Sequence, residues 1–207
     1  MIKVLVVEDQ RMAREDMEHH ILASGRYELA GSIANASMAE EVCRRTGCDL
    51  VLMDVCTEND ESGLKAAERI KQSMPQVKVI IVTSMAECSF LERARKAGTE
   101  SFWYKDASKE ELLEVMDCTM DGQSIYPDAS PTVMVGAAKS CDFTKAELDV
   151  LRLVVEGKSY KQISEGLSVS PETVKWHIGN MLRKTGFDSK TKLAVAVTKK
   201  NLIINGF

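Results

Sequence analysis

The sequence predicts an α/β fold, a doubly wound five-stranded parallel sheet over residues 1–122, followed after a linker at 123–141 by an all-α four-helix domain over 142–207. Three observations carry this reading. In the first part, apolar β-branched runs alternate with helical periods, the pattern of parallel strands joined by crossover helices. Residues 121–141 lose periodicity and contain Gly122, Pro127, Pro131 and Gly136, residues that interrupt regular structure. In the last part, apolar stripes at helical spacing follow capping signatures.

Taken in order, residues 2–7 (Ile-Lys-Val-Leu-Val-Val) form a strand that ends directly in Glu8 and Asp9. Residues 10–24 place Met12, Met17, Ile21 and Leu22 among polar residues and stop at Gly25, as a helix does. A strand at 27–33 and a helix at 37–45, closed by Gly47, come next. Residues 49–54 read Asp-Leu-Val-Leu-Met-Asp, and four unbroken apolar residues suit a strand buried on both faces. A helix at 63–72 is stopped before Pro75, and a fourth strand at 77–83 ends in Thr83 and Ser84. A helix at 87–97 ends at Gly98, and a short strand at 101–104 delivers Lys105. Ser108 and Glu111 make a capping box that opens a helix over 109–121. A further short helix is expected around 132–139.

The chemistry-bearing residues stand at the strand ends. Glu8, Asp9, Asp54, Thr83 and Lys105 all fall at the carboxyl edge of the predicted sheet, where open α/β folds place their sites. Taken singly, Asp54 reads as a strand terminator, Thr83 as a strand end, Lys105 as a solvated charge and Phe102 as core. The joint arrangement is the specific signal. Clustered carboxylates repel one another unless a hard cation such as Mg²⁺ sits among them. A carboxylate left available can attack phosphorus to form an acyl phosphate, with an ammonium and a hydroxyl stabilising the phosphoryl oxygens.

With those residues in place, residues 1–122 resemble the receiver domain of a two-component response regulator. The resemblance implies that Asp54 accepts a phosphoryl group from a histidine kinase, and that Glu8 and Asp9, with Asp54 and the Cys56 carbonyl, hold Mg²⁺. It further implies that Thr83 contacts the phosphoryl group, that Lys105 pairs with it, and that Phe102 is a switch coupled to Thr83. One departure stands out. Asp54 is followed by Val-Cys-Thr-Glu-Asn-Asp-Glu-Ser-Gly, so Gly63 comes about one residue later than the family pattern, and Glu58, Asp60 and Glu61 add charge near the expected metal site.

Charge divides the two parts. Residues 142–207 hold 11 basic and 7 acidic residues, a net of +4, and the remainder holds 16 and 24, a net of −8. A basic module on an acidic body points to a polyanion partner for the module. Six cysteines (Cys43, Cys48, Cys56, Cys88, Cys118, Cys141) show neither a C-x-x-C pair nor metal-ligand spacing, and no signal peptide precedes them. Reduced thiols in a cytoplasmic protein are therefore expected. No apolar run approaches the ~18 residues of a membrane span, so no membrane role is expected.

In the last part, Thr144 and Glu147 form a capping box ahead of the stripe Leu148, Leu151, Val154 and Val155. Ser159 caps a helix over 160–167, Ser168-Val169-Ser170 makes a tight turn, and Ser170 with Pro171 opens a helix that runs to about Lys184. This is a helix-turn-helix, and the helix over 190–200 closes the bundle. On the long helix Val174, Ile178 and Met181 face inward, while Glu172, Lys175, Trp176, Gly179 and Arg183 face outward. Lys175 and Arg183 suit phosphates or guanine edges, and an outward Trp176 suits a thymine methyl unless it packs on its own domain. His177 reads as half-buried. Residues 143–202, Thr173-Val-Lys-Trp-His-Ile especially, resemble the LuxR-type helix-turn-helix of NarL/FixJ regulators. That resemblance implies DNA contacts at Lys175 and Trp176, dimerisation through the last helix, and a base-reading position occupied here by Gly179.

The whole reads as a DNA-binding transcriptional regulator controlled by phosphorylation of Asp54, with double-stranded DNA and a histidine kinase as partners and a homodimer as its active form. It is not an enzyme beyond assisting its own phosphoryl transfer and dephosphorylation. One alternative is a phosphorylation-independent transcription factor whose receiver only oligomerises or binds protein. A phosphohydrolase is disfavoured, because such enzymes usually place a second Asp two residues after the nucleophile as acid/base and Cys56 stands there.

Overall fold

The computed structural model describes residues 1–87, 89–105, 111–200 and 202–203. The chain divides into two compact units, one of Met1–Ser84 and Phe90–Ala129, the other of Met85–Ser89 and Ser130–Phe207.

In the first unit the elements run β1 (Ile2–Val7), α1 (Arg11–Ala23), β2 (Tyr27–Ile33), α2 (Ala39–Thr46), β3 (Leu50–Asp54), β4 (Cys56–Thr57), β5 (Glu61–Ser62), α3 (Gly63–Ser73), β6 (Lys78–Thr83), α4 (Ser89–Lys96), β7 (Ser101–Tyr104) and α5 (Leu112–Met120). The five long strands form one sheet in the order β2-β1-β3-β6-β7, every pair parallel. The apolar runs dictate this: all five residues of β3 are buried, which only a sheet covered on both faces allows. Val4, Val6, Leu50, Leu52, Ile80 and Val82 pack with Met17 and Ile21 of α1 and with Leu112, Val115 and Met116 of α5. On the other face α2 and α3 cover the sheet through Val42, Leu64, Ala67 and Ile70.

In the second unit a small hairpin, β8 (Met134–Val135) and β9 (Ala138–Lys139), precedes α6 (Lys145–Val155), α7 (Tyr160–Leu167), α8 (Pro171–Thr185) and α9 (Lys190–Lys199). Leu148, Leu151, Val154, Ile163, Val174, Ile178, Met181, Leu193 and Val197 make its core. The expected capping box of Thr144 with Glu147 forms, and Ser159, expected as a cap, makes a second one with Gln162.

Three expectations are corrected. The helix expected around 132–139 is the β8–β9 hairpin, whose turn is fixed by the Ala137 amide donating to the Thr185 carbonyl at 2.9 Å. The helix expected from 109 is described from Leu112, capped by Glu111 with Glu114; Ser108 and Lys109 lie outside the described residues. The segment after Asp54, to which the sequence assigns no element, forms the β4–β5 hairpin. Cys43 and Cys48, expected as thiols, form a disulfide from the end of α2 to the approach to β3, across Cα atoms 5.2 Å apart. Their separation of five residues had no recognisable pattern, and the turn at Gly47, in the left-handed region, is what brings them together.

Candidate functional site

Parallel pairing aligns the strand ends. Asp54 pairs with Val82, so Thr83 lies one residue beyond it on the neighbouring strand, and Thr83 pairs with Tyr104, so Lys105 follows on the next. The carboxyl end of β1 delivers Glu8 and Asp9 to the same edge. One oxygen from each of Glu8, Asp9 and Asp54 lies within 4.8 Å of the others, a group able to hold a metal ion. The Lys105 ammonium is hydrogen-bonded to Glu8 and stands 3.4 Å from Asp54 Oδ2. The Arg14 guanidinium donates to the Glu8 carbonyl at 2.7 Å and fixes the acidic turn.

Burial sets the electrostatics. Removal from water pushes the Asp54 carboxyl up to about 7, with Glu8 and Asp9 adding repulsion while Lys105 and the Val55 amide, donating at 2.8 Å, oppose it. For Lys105, burial works against the charge, yet Asp54 and Glu8 outweigh it and hold the ammonium above its ordinary value. Three carboxylates and one ammonium leave uncompensated negative charge. The oxygen-only donor set fits a hard divalent cation, which would return Asp54 to its carboxylate form.

The β4–β5 hairpin borders this pocket. Thr57 Oγ1 accepts from the Ala36 amide at 2.9 Å and donates to the Glu61 carbonyl at 3.0 Å, so the inserted segment is tied to the end of β2. Cys56 opens the hairpin two residues after Asp54 and pairs with Ser62. Gly63, which begins α3, cannot carry a side chain: a Cβ there would lie 1.7 Å from the Asp54 carbonyl oxygen. Arg14 escaped the sequence reading, whereas Gly63 was singled out there by its place in the chain and not for this close approach. An arginine on an exposed helix carries no signal.

Phe102 is buried, its ring 4.9 Å from Tyr104 and 6.2 Å from Tyr126. Its amide donates to the Ile125 carbonyl at 2.8 Å, so part of the stretch expected as linker lines the edge strand. The Tyr126 hydroxyl meets Thr99 Oγ1 at 2.7 Å, and the Arg95 guanidinium lies 4.5 Å from its ring centre.

In the second unit α7 and α8 meet at a turn where Ser168 adopts a left-handed conformation, and the Ser170 hydroxyl accepts from the Thr173 amide at 3.1 Å. Val174, Ile178 and Met181 are buried. Glu172, Lys175, Trp176, Gly179 and Arg183 are all exposed, as the spacing predicted, so Trp176 does not bury its ring in its own domain. His177 is half-buried, its Nδ1 without a hydrogen-bond partner among the described residues.

A family model for the response regulator receiver domain matches residues 4–117, and one for bacterial regulatory proteins of the luxR family matches residues 142–197. The chain belongs to the LuxR-family response regulators. It is 29% identical over 207 residues to the response regulator protein VraR of Staphylococcus aureus strain Mu3, covering 98% of this chain and 99% of that protein. A LuxR-family DNA-binding response regulator from Staphylococcus aureus is 26% identical with a TM-score of 0.53, covering 56% of this chain and 97% of that one. RcsB from Salmonella enterica serovar Typhimurium, solved on promoter rprA with the phosphomimetic BeF3-, is alike in fold with a TM-score of 0.59 at 15% identity, over 96% of this chain and 98% of that one. This response regulator therefore joins a receiver domain to a LuxR-type DNA-binding domain. No described helix is long and apolar enough to cross a membrane.

Proposed function

We propose that this response regulator accepts a phosphoryl group on Asp54 from a sensor histidine kinase and that the modification controls a homodimer's grip on double-stranded DNA. The gathering of Glu8, Asp9 and Asp54 within 4.8 Å, with Lys105 beside them, is the observation that carries this reading. Glu8, Asp9, Asp54 and the Cys56 carbonyl would hold Mg²⁺, which when bound supplies charge neutralisation for the incoming phosphoryl oxygens. The Asp54 carboxylate attacks phosphorus as the bond to the donor's nitrogen or oxygen breaks, and an acyl phosphate forms. Lys105 pairs with the new dianion and the Thr83 hydroxyl donates to one of its oxygens.

Thr83 drawn toward the phosphoryl group couples to Phe102 one strand away and biases a two-state equilibrium of the receiver. In the DNA-binding domain, residues 142–207, Lys175, Trp176 and Arg183 contact DNA, with the two cations on phosphates or guanine edges. A cytoplasmic location follows from DNA as the target. Outside its own phosphorylation and dephosphorylation the protein has no catalytic role in this reading.

The test is phosphorylation itself. Acetyl phosphate with Mg²⁺ should label the wild-type chain with acid-labile phosphate, and Asp54→Asn should abolish the label. A label that persists in Asp54→Asn would place the acceptor elsewhere, and no label on the wild type would favour the phosphorylation-independent reading.

A further inference from the structure

Cys43 and Cys48 carry chemistry that phosphoryl transfer does not use. Both side chains are buried, yet Arg44, Arg45, Gly47 and Asp49 around them are exposed, so the bridge lies just beneath the surface turn that ends α2. Hydrogen bonds set this turn without help from the bridge. The Gly47 amide donates to the Cys43 carbonyl at 2.9 Å, the Cys48 amide to the same oxygen at 3.3 Å, and the Thr46 hydroxyl to the Val42 carbonyl at 2.8 Å. The approach to β3 is fixed as well. The Asp49 amide donates to the Lys3 carbonyl at 2.8 Å, the Asp49 carboxylate accepts from the Lys3 amide at 2.8 Å, and the Asp49 carbonyl accepts from the Lys78 amide at 2.9 Å. The two cysteines are only five positions apart. Closing so short a loop favours the folded chain by about 40-fold, against about 3,000-fold for a loop of ~100 residues. A folded domain retains a large excess over its unfolded form after such a loss.

We infer that Cys43 and Cys48 are a reversible thiol–disulfide pair that exchanges with small thiols and disulfides, the bonded state locking the last turn of α2 and the reduced state freeing it. A staple required for folding closes a long loop or a loose junction, and this bridge does neither. The preset turn holds the Cα atoms 5.2 Å apart, so the reduced thiols face each other at high effective concentration and the bond re-forms readily. In the cytoplasm proposed above, a thiol pool keeps most cysteines reduced, and the disulfides found there are mainly transient or sensing ones. In reduction, a thiolate of a dithiol attacks one bridge sulfur, the protein S–S bond breaks as a mixed disulfide forms, and the released cysteine takes a proton. The reductant's second thiolate then displaces the other cysteine, so two electrons and two protons pass from the dithiol to the pair. A small disulfide runs the same steps backwards and leaves as two thiols. The sulfurs are reached by fraying of the last helical turn, whose Arg44 and Arg45 already stand in water.

The experiment equilibrates the full native chain in glutathione buffers from reducing to oxidising poise, quenches it with acid, alkylates it in denaturant without reductant and weighs it intact. The double variant Cys43→Ser, Cys48→Ser is the blank. Wild type should carry two more labels at a cytoplasmic poise than at an oxidising one, reversibly, with circular dichroism showing a folded chain throughout, and the blank should show no such step. Trypsin should cut after Arg44 or Arg45 roughly tenfold faster in the reduced than in the oxidised form, with the double variant matching the reduced form. A bridge that dithiothreitol opens only in denaturant would be a fixed staple, and thiols that stay open in oxidised glutathione would be no pair. Either result overturns the inference, as does equal cleavage of the two forms. Phosphodonor, Mg²⁺ and DNA are left out, so a failure of the Asp54 reading leaves these outcomes unchanged.

Discussion

A methyl group on Gly63 would sit 1.7 Å from the Asp54 carbonyl oxygen, and that oxygen belongs to a buried strand that cannot retreat. Gly63→Ala should therefore cost about 1–3 kcal/mol of stability, read by thermal unfolding, and lower phosphoryl uptake by moving β3 against α3. An unchanged melting temperature would mean that α3 shifts freely. At this scale most of the site could be read from the sequence. Glu8, Asp9, Asp54, Thr83 and Lys105 are found at strand ends because apolar runs mark where strands stop, and parallel pairing then brings those ends together. Arg14 and Tyr126 could not be read in the same way, because each acts through a backbone carbonyl or a ring whose position depends on the tertiary fold.

Among the elements, α6 and α8 are joined by an ion pair between Glu147 Oε2 and Lys184 Nζ at 2.7 Å, and the same oxygen accepts from the Thr144 amide at 2.8 Å. Burial raises the Glu147 carboxyl, but Lys184 and the Thr144 amide outweigh it and hold the group below its ordinary 4.5. A lowered folded value contributes stability that is complete above about pH 4.5 and is lost as pH falls through the folded value. Lys184→Met should thus destabilise the second unit by about 1–3 kcal/mol at pH 7, and the deficit should shrink on acidification as Glu147 is protonated. A deficit independent of pH would assign it to lost packing of the lysine stem.

The Cys43–Cys48 bridge makes a separate prediction at the same scale. Alkylating the unfolded, unreduced chain should leave both residues unlabelled, and Cys48→Ser should cost the first unit about 2 kcal/mol, the magnitude expected for so short a loop. Labelling of both would mean the thiols are reduced. This bridge was not legible because a cysteine spacing of five carries no pattern; the left-handed Gly47 supplies the geometry. The β8–β9 hairpin was misread for a related reason. Its strands are two residues each, too short for an alternation, and they are held by the second unit rather than by their own propensity.

At the scale of the molecule, the two-part organisation was legible because periodicity and charge both change in the same interval. Where the boundary falls was less so: Ile125 and Tyr126 lie against β7, and the β8–β9 hairpin belongs to the second unit. Metal binding to the carboxylate cluster adds a prediction for the receiver. Mg²⁺ should raise its melting temperature by binding the folded state alone, and Asp9→Asn should remove most of that gain. An equal gain in Asp9→Asn would place the cation elsewhere. The central claim is that the charge on Asp54 and the affinity of α8 for DNA are coupled. It is tested most directly by titrating one selected duplex with the full chain, wild type and Asp54→Asn, with and without acetyl phosphate and Mg²⁺. Phosphodonor should tighten wild-type binding by roughly 5- to 150-fold, the usual range of such couplings, and leave Asp54→Asn unchanged. Equal tightening in both proteins, or none in either, would contradict it.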